Sequence, residues 1–152
     1  MATFAGQYQA TIDDKGRVVL PSAFKKAMGE MQLDFVVVER NRRSKCLDIH
    51  TVDTWKREVE KFRAKLNPET NPMHDKLLQL YFQNFVQIGV AANGRINIPN
   101  EFLEYADLKD KVTFLGMQTS IRLSTAQATS EIEMSDSDYL DLLKMIDKKE
   151  EE

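Results

Sequence analysis

The sequence of 152 residues holds one cysteine, two histidines and one tryptophan, and it lacks any long apolar run. A lone Cys46 cannot close an internal disulfide, and one Cys with two His is too few for a closed zinc site of those ligands. No stretch approaches the roughly 20 apolar residues that a membrane-spanning helix needs. The opening residues, MATFAGQYQA, have neither the basic region nor the apolar core of a secretion signal. These absences lead us to expect a cytoplasmic protein with no metal, no other cofactor and no membrane partner. Strong positive charge is missing too, the formal net being −3. The distribution matters more than the total: residues 131–152 carry nine acidic and three basic groups, which leaves 18 basic against 15 acidic in residues 1–130. A mildly basic body with an acidic tail remains compatible with a nucleic-acid partner.

Signs of catalysis are equally sparse. No phosphate-binding glycine loop is present, because each Gly-Arg pair runs straight into an apolar strand. Cys46 and His50 lie four residues apart in an expected strand, which separates them by about 13 Å, too far for a nucleophile and its base. Asp13 and Asp14 diverge if extended and suit a turn better than a pair of catalytic carboxylates. An enzyme is not expected.

What the chain does contain is a pattern used twice. Residues 13–21 read DDKGRVVLP and residues 91–99 read AANGRINIP. Aligning Gly16 with Gly94 sets Tyr8 on Val86, Arg17 on Arg95, Val18 on Ile96, Leu20 on Ile98, Pro21 on Pro99 and Phe24 on Phe102 without a gap. Glycine supplies the positive φ of a turn, the alternating aliphatics face a core, and proline ends the strand. Two copies are too few for a solenoid, so each half is expected to give strands to one shared barrel with pseudo-twofold symmetry. Around this block, QYQATI, LDFVVVER, CLDIH, VQIGV, KVTFLGM and SIRL read as strands. SAFKKAMG and NEFLEYADL read as short helices, and longer ones are expected over about 52–66 and 73–85, separated by NPETNP. STAQATSEIE reads as a weaker helical segment. In the tail, Ser135 and Asp138 are placed to cap a helix whose Tyr139, Leu142, Leu143 and Ile146 share one stripe.

Each arginine sits just after its turn, where it could brace the hairpin or reach outward. Asp13, four residues before Arg17, is positioned to orient it through an ion pair. Arginine can bind guanine and asparagine adenine in a bidentate way, so Lys15 and Arg17 in one turn and Asn93 and Arg95 in the other are candidate contacts to double-stranded DNA. Lys25, Lys26, Arg42 and Arg43 are candidates for the phosphate backbone, with a solvated surface as the alternative.

YQATIDDKGRVVLPSAF, followed by a β-rich run, CLDIH and a Trp-bearing helix, resembles the first half of the MraZ family of bacterial regulators. VQIGVAANGRINIPNEFLEYADL resembles that family's second AbrB-type repeat. The resemblance spans about residues 5 to 123. It implies a mainly β (α+β) fold, a double-split β-barrel built from two homologous AbrB-like halves with added helices. The matching organisation is a first repeat over 5–50, helices and linker over 51–85, a second repeat over 86–130 and an acidic C-terminal tail over 131–152. It further implies a nucleoid-associated repressor of the division and cell-wall gene cluster. Such a repressor binds short direct repeats upstream of its own operon as a homo-oligomer, in the form of a ring. The family's two D-x-x-x-R elements map onto Asp13 and Arg17 in full, and onto Arg95 in the second copy, where Ala91 replaces the aspartate. An antitoxin-like DNA-binding module that grips a protein through its C-terminal segment is the other expectation.

Overall fold

Strand alternation and helix caps together determine where each element begins and ends. The computed structural model describes residues 2–29 and 34–151. Leu33, the expected start of the third strand, and the terminal Glu152 lie outside the described residues. The order is β1 Gln7–Ile12, β2 Arg17–Val19, α1 Ser22–Gly29, β3 Phe35–Asn41, β4 Cys46–Thr51, α2 Val52–Arg63, α3 Pro72–Phe82, β5 Phe85–Gly89, β6 Arg95–Asn97, α4 Asn100–Ala106, β7 Asp110–Gly116, β8 Ser120–Thr125, α5 Ala126–Ser130 and α6 Asp136–Glu151. The class is α+β, with an antiparallel six-stranded sheet ordered β1-β7-β8-β4-β3-β5 and a separate ribbon, β2-β6. The strands do not form one closed hydrogen-bonded cylinder, since β1 and β5 end the larger sheet.

This order is unchanged when β1 is exchanged with β5, β3 with β7, β4 with β8 and β2 with β6. The registers obey the same exchange. Tyr8 faces Phe114 as Val86 faces Val38, and Ile49 faces Ile121 as Leu47 faces Leu123. Two pairs map onto themselves, Asp48 with Arg122 and Val18 with Ile96. A pseudo-twofold axis therefore relates the halves through these two pairs.

Alternation along each strand builds the core. Val18, Ile96, Leu20 and Ile98 turn inward from the ribbon and meet Phe24, Phe102, Phe114 and Leu123. Phe24 also receives Phe4 and Tyr8 edge-on, at 5.6 and 5.2 Å between ring centroids. Phe4 is brought there by a bridge to Gln118.

Two helices end earlier than expected, α2 in local turns and α3 at a tertiary contact. The helix α2, capped by Thr51, stops at Arg63 rather than residue 66, and the chain continues in tight turns through Lys65 and Leu66. The helix α3 starts at Pro72 on an Asn71 cap and stops at Phe82, not residue 85. Asn84 is buried there, its carbonyl accepting from the Arg40 amide at 2.8 Å and its side chain from Arg42 Nε at 2.8 Å. Those two bonds turn Phe85 into a strand residue opposite Glu39. STAQATSEIE divides similarly, its first two residues ending β8 and only Ala126–Ser130 being helical.

Candidate nucleic-acid interface

Each turn needs a residue at positive φ, which Gly16 at +82° and Gly94 at +86° provide. The turns then close alike. The Gly16 amide donates to the Asp13 carbonyl at 3.1 Å, and the Gly94 amide to that of Ala91 at 2.8 Å. They are also locked together across the axis. Leu20 donates its amide to the Gly94 carbonyl at 3.0 Å, while Ile98 donates to that of Gly16 at 2.8 Å. Neither turn can move without the other.

The ribbon fixes the direction of the arginines. Arg17 pairs with Asn97 and Val19 with Arg95, flanking the central Val18–Ile96 pair. Since Val18 and Ile96 are buried, Arg17, Val19, Arg95 and Asn97 all point to solvent on the other face. The two arginines stand diagonally, as neighbours about 7–8 Å apart by ribbon geometry, their β-carbons somewhat closer. Asn97 was missed from the sequence, although period-two alternation from Arg95 is the signal that finds it.

Around Arg17 the geometry is tight. Asp13 Oδ1 accepts from the amides of Lys15 at 3.0 Å and Arg17 at 2.9 Å, and its Oδ2 accepts from Arg17 Nε at 2.6 Å. The Arg17 amide, ahead of the ion pair itself, holds the Asp13 carboxyl below its usual range. In the second turn the side-chain acceptor sits two residues later, where Asn93 Oδ1 receives the Arg95 amide at 3.0 Å. Among the described residues the Arg95 guanidinium has no hydrogen-bond or ion-pair partner.

Other candidates are dispersed. The Lys25 ammonium is tied to the Ala92 carbonyl, fastening α1 to the second turn, and Lys26 is exposed on α1. Arg42 and Arg43 lie in the β3–β4 turn, where Arg42 Nε is held by Asn84. That turn is at the opposite end of β3 from the second Gly-Arg turn, because Phe35 pairs with Gly89 and Glu39 with Phe85. Arg42 and Arg43 are therefore not gathered with the ribbon arginines.

Chemically, an exposed ribbon face with two guanidinium groups and a carboxamide can meet phosphates and base edges, and it brings no general acid, base or nucleophile together. A family model described as "MraZ protein, putative antitoxin-like" matches residues 3–77. Proteins named "Transcriptional regulator MraZ" are similar along almost the whole chain. That of Phocaeicola vulgatus is 25% identical over 136 residues, covering 90% of this chain and 88% of its own. Two strains of Bacteroides fragilis have relatives 25% identical over 150 residues, covering 99% of this chain and 94% of theirs. The chain is thus similar to the MraZ family, through the family model over nearly its first half and through these relatives over almost its whole length.

Proposed function

We propose that this protein is a sequence-specific DNA-binding transcriptional repressor that acts as a homo-oligomer, a ring in form, in the cytoplasm at the nucleoid. Its target is the division and cell-wall gene cluster, through short direct repeats upstream of its own operon. The observation that carries this reading is the ribbon face, with Arg17 and Arg95 side by side on a locked pair of turns. The name shared by its relatives, a transcriptional regulator, supports it. A two-stranded ribbon fits the major groove, and repeated copies of one face along direct repeats raise effective concentration enough to offset the modest charge of each body. In fold terms the reading takes sheet and ribbon as a double-split barrel of two AbrB-like repeats, over 5–50 and 86–130. The exchange symmetry of the strand pairs supports that division.

The reading is of a binding protein and not an enzyme. Cys46 is buried, and burial pushes its thiol up, opposite to an activated nucleophile. His50 is engaged by Glu39 at 2.8 Å. Among the described residues no helix is long and apolar enough to cross a membrane.

Fluorescence anisotropy tests the proposal with DNA from upstream of the protein's own gene against a scrambled duplex, at two salt concentrations. The wild type is expected to prefer its own DNA and to weaken steeply with salt, while Arg17→Ala/Arg95→Ala binds neither duplex appreciably. Equal binding of both duplexes by the wild type contradicts the reading.

One observation favours a second role, that of an antitoxin-like module with a protein partner. Tyr139, Leu142, Leu143 and Ile146 on α6 are all exposed. If α6 grips a partner, removal of residues 131–152 abolishes capture of that partner and leaves DNA binding intact.

A further inference from the structure

We infer that the two turns have different jobs in this chain: Arg17 reads bases and sets sequence preference, whereas Arg95 contacts phosphate and adds affinity without preference. The inference rests on the DNA-binding reading above and divides its labour between the halves.

Base readout needs a guanidinium held in a fixed orientation, because a bidentate contact to guanine is lost if the fork rotates. Arg17 meets that need. Its Nε is bound to Asp13 at 2.6 Å, and the same carboxylate fixes the turn through two backbone amides. Binding through Nε leaves the outer Nη1–Nη2 edge, the edge that matches O6 and N7 of guanine. The carboxylate also offsets the charge of Arg17, making it a poorer phosphate ligand than a free arginine.

Arg95 has the opposite environment. Ala91 and Ala92 stand where Asp13 and Asp14 stand in the first turn, and among the described residues no side chain bonds its guanidinium, Asp34 lining the same groove without pairing to it. Asn93 keeps the turn closed through the Arg95 backbone alone. Such a group retains its full charge and rotational freedom, which suit a phosphate and not a base edge.

The grooves beside the turns differ in the same sense. The groove next to the first turn is lined by Asp13, Asp14, Glu104, Asp107 and Asp110, with Lys109 the single cation. Its pseudo-symmetric counterpart is lined by Ala91, Ala92, Lys25 and Gly29, with Asp34 the single carboxylate among the described residues. A phosphate strand is repelled from the first groove and tolerated by the second. Base reading at Arg17 and backbone tracking at Arg95 then follow from one placement of the duplex.

Arg→Lys substitutions separate these roles, since lysine keeps the charge and loses the fork. The ratio of affinities for the own-gene upstream duplex and its scrambled control is measured with Arg17→Lys, Arg95→Lys and Arg95→Ala in the full chain. Circular dichroism checks that each variant folds. Arg17→Lys is expected to lower the ratio about tenfold or more while scrambled-DNA affinity stays within about twofold. Arg95→Lys leaves the ratio unchanged. Arg95→Ala weakens both duplexes by a similar factor and reduces the slope of log K against log salt by about one. A ratio that falls as far for Arg95→Lys as for Arg17→Lys overturns the division of labour while leaving the repressor reading in place. A wild-type ratio of one removes both.

Discussion

Positive φ alone does not make the two turn glycines equivalent, because their surroundings differ. A β-carbon on Gly16 would lie 2.2 Å from the Ile98 carbonyl oxygen, a backbone atom that cannot move without breaking the ribbon, whereas one on Gly94 would meet the flexible Lys25 side chain at 3.1 Å. Gly94→Ala is therefore expected to cost about 1 kcal/mol from backbone strain, and Gly16→Ala about 3 kcal/mol or more. Urea denaturation followed by the fluorescence of Trp55 measures both. Asp13 carries a second prediction at this scale. Its carboxyl is held below the ordinary value of 3.8, first by the Arg17 amide. A depressed acid contributes stability that is complete above the unfolded value and is lost as pH falls through the folded one. Carboxyl NMR titration should place its midpoint below 3.8. Arg17→Ala should retain part of the depression, because the backbone donor survives truncation. A midpoint returning fully to the ordinary value would make the ion pair the dominant cause.

Among the elements, the α2–α3 hairpin and α6 form a contrast. The hairpin is closed by stacked Phe62 and Tyr81, 4.1 Å between centroids, and is fixed to the body by Trp55 and Tyr81 against Phe85 of β5, at 5.8 and 5.0 Å. By comparison, every described side chain from Asp136 to Lys149 is exposed, and the local tie at the start of α6 is Ser135 Oγ accepting the Asp138 amide at 3.1 Å. Truncation after Ser130 is thus expected to leave the melting temperature of the body within about 2 °C. Thermal circular dichroism checks this, and a larger fall would show that α6 docks on the body. Local signals made these elements legible: NPETNP marked the break between α2 and α3, Ser135 and Asp138 announced α6, and the Gly-Arg spacing announced both turns. What escaped was long-range. Nothing near Phe85 in sequence says that Arg40 and Arg42 will capture Asn84 and end the helix early. Nor does MATF announce that Phe4 becomes a core residue, since it is buried only through pairing with Gln118 and contact with Phe24. For the candidate site, the arginines and Asp13 could be read from spacing. That the two Gly-Arg turns share one face is what the duplication leads one to expect, and the pairing of β2 with β6 agrees; that Arg42 and Arg43 lie far from it depended on the pairing of β3 with β5.

At the scale of the whole molecule, the pseudo-twofold makes its own axis the sensitive point. Identical residues at the β4–β8 crossing would place two like charges face to face if either were charged. The chain instead sets Asp48 against Arg122 at 3.0 Å, with Asn41 on the second carboxylate oxygen. Asp48→Arg should destabilise the fold by about 3 kcal/mol, and Asp48→Arg/Arg122→Asp should recover more than half of that loss, as measured by urea denaturation. The same symmetry brings both Gly-Arg turns to one ribbon, although β1 and β5 lie at opposite edges of the sheet. If this ribbon face meets DNA, its backbone amides are shielded in the complex. Hydrogen–deuterium exchange by mass spectrometry, with and without the own-gene upstream duplex, tests it most directly. Slowed exchange confined to peptides covering residues 12–20 and 90–98 is the predicted result. Unchanged exchange there, with protection instead over residues 41–45 or 131–151, would contradict the account.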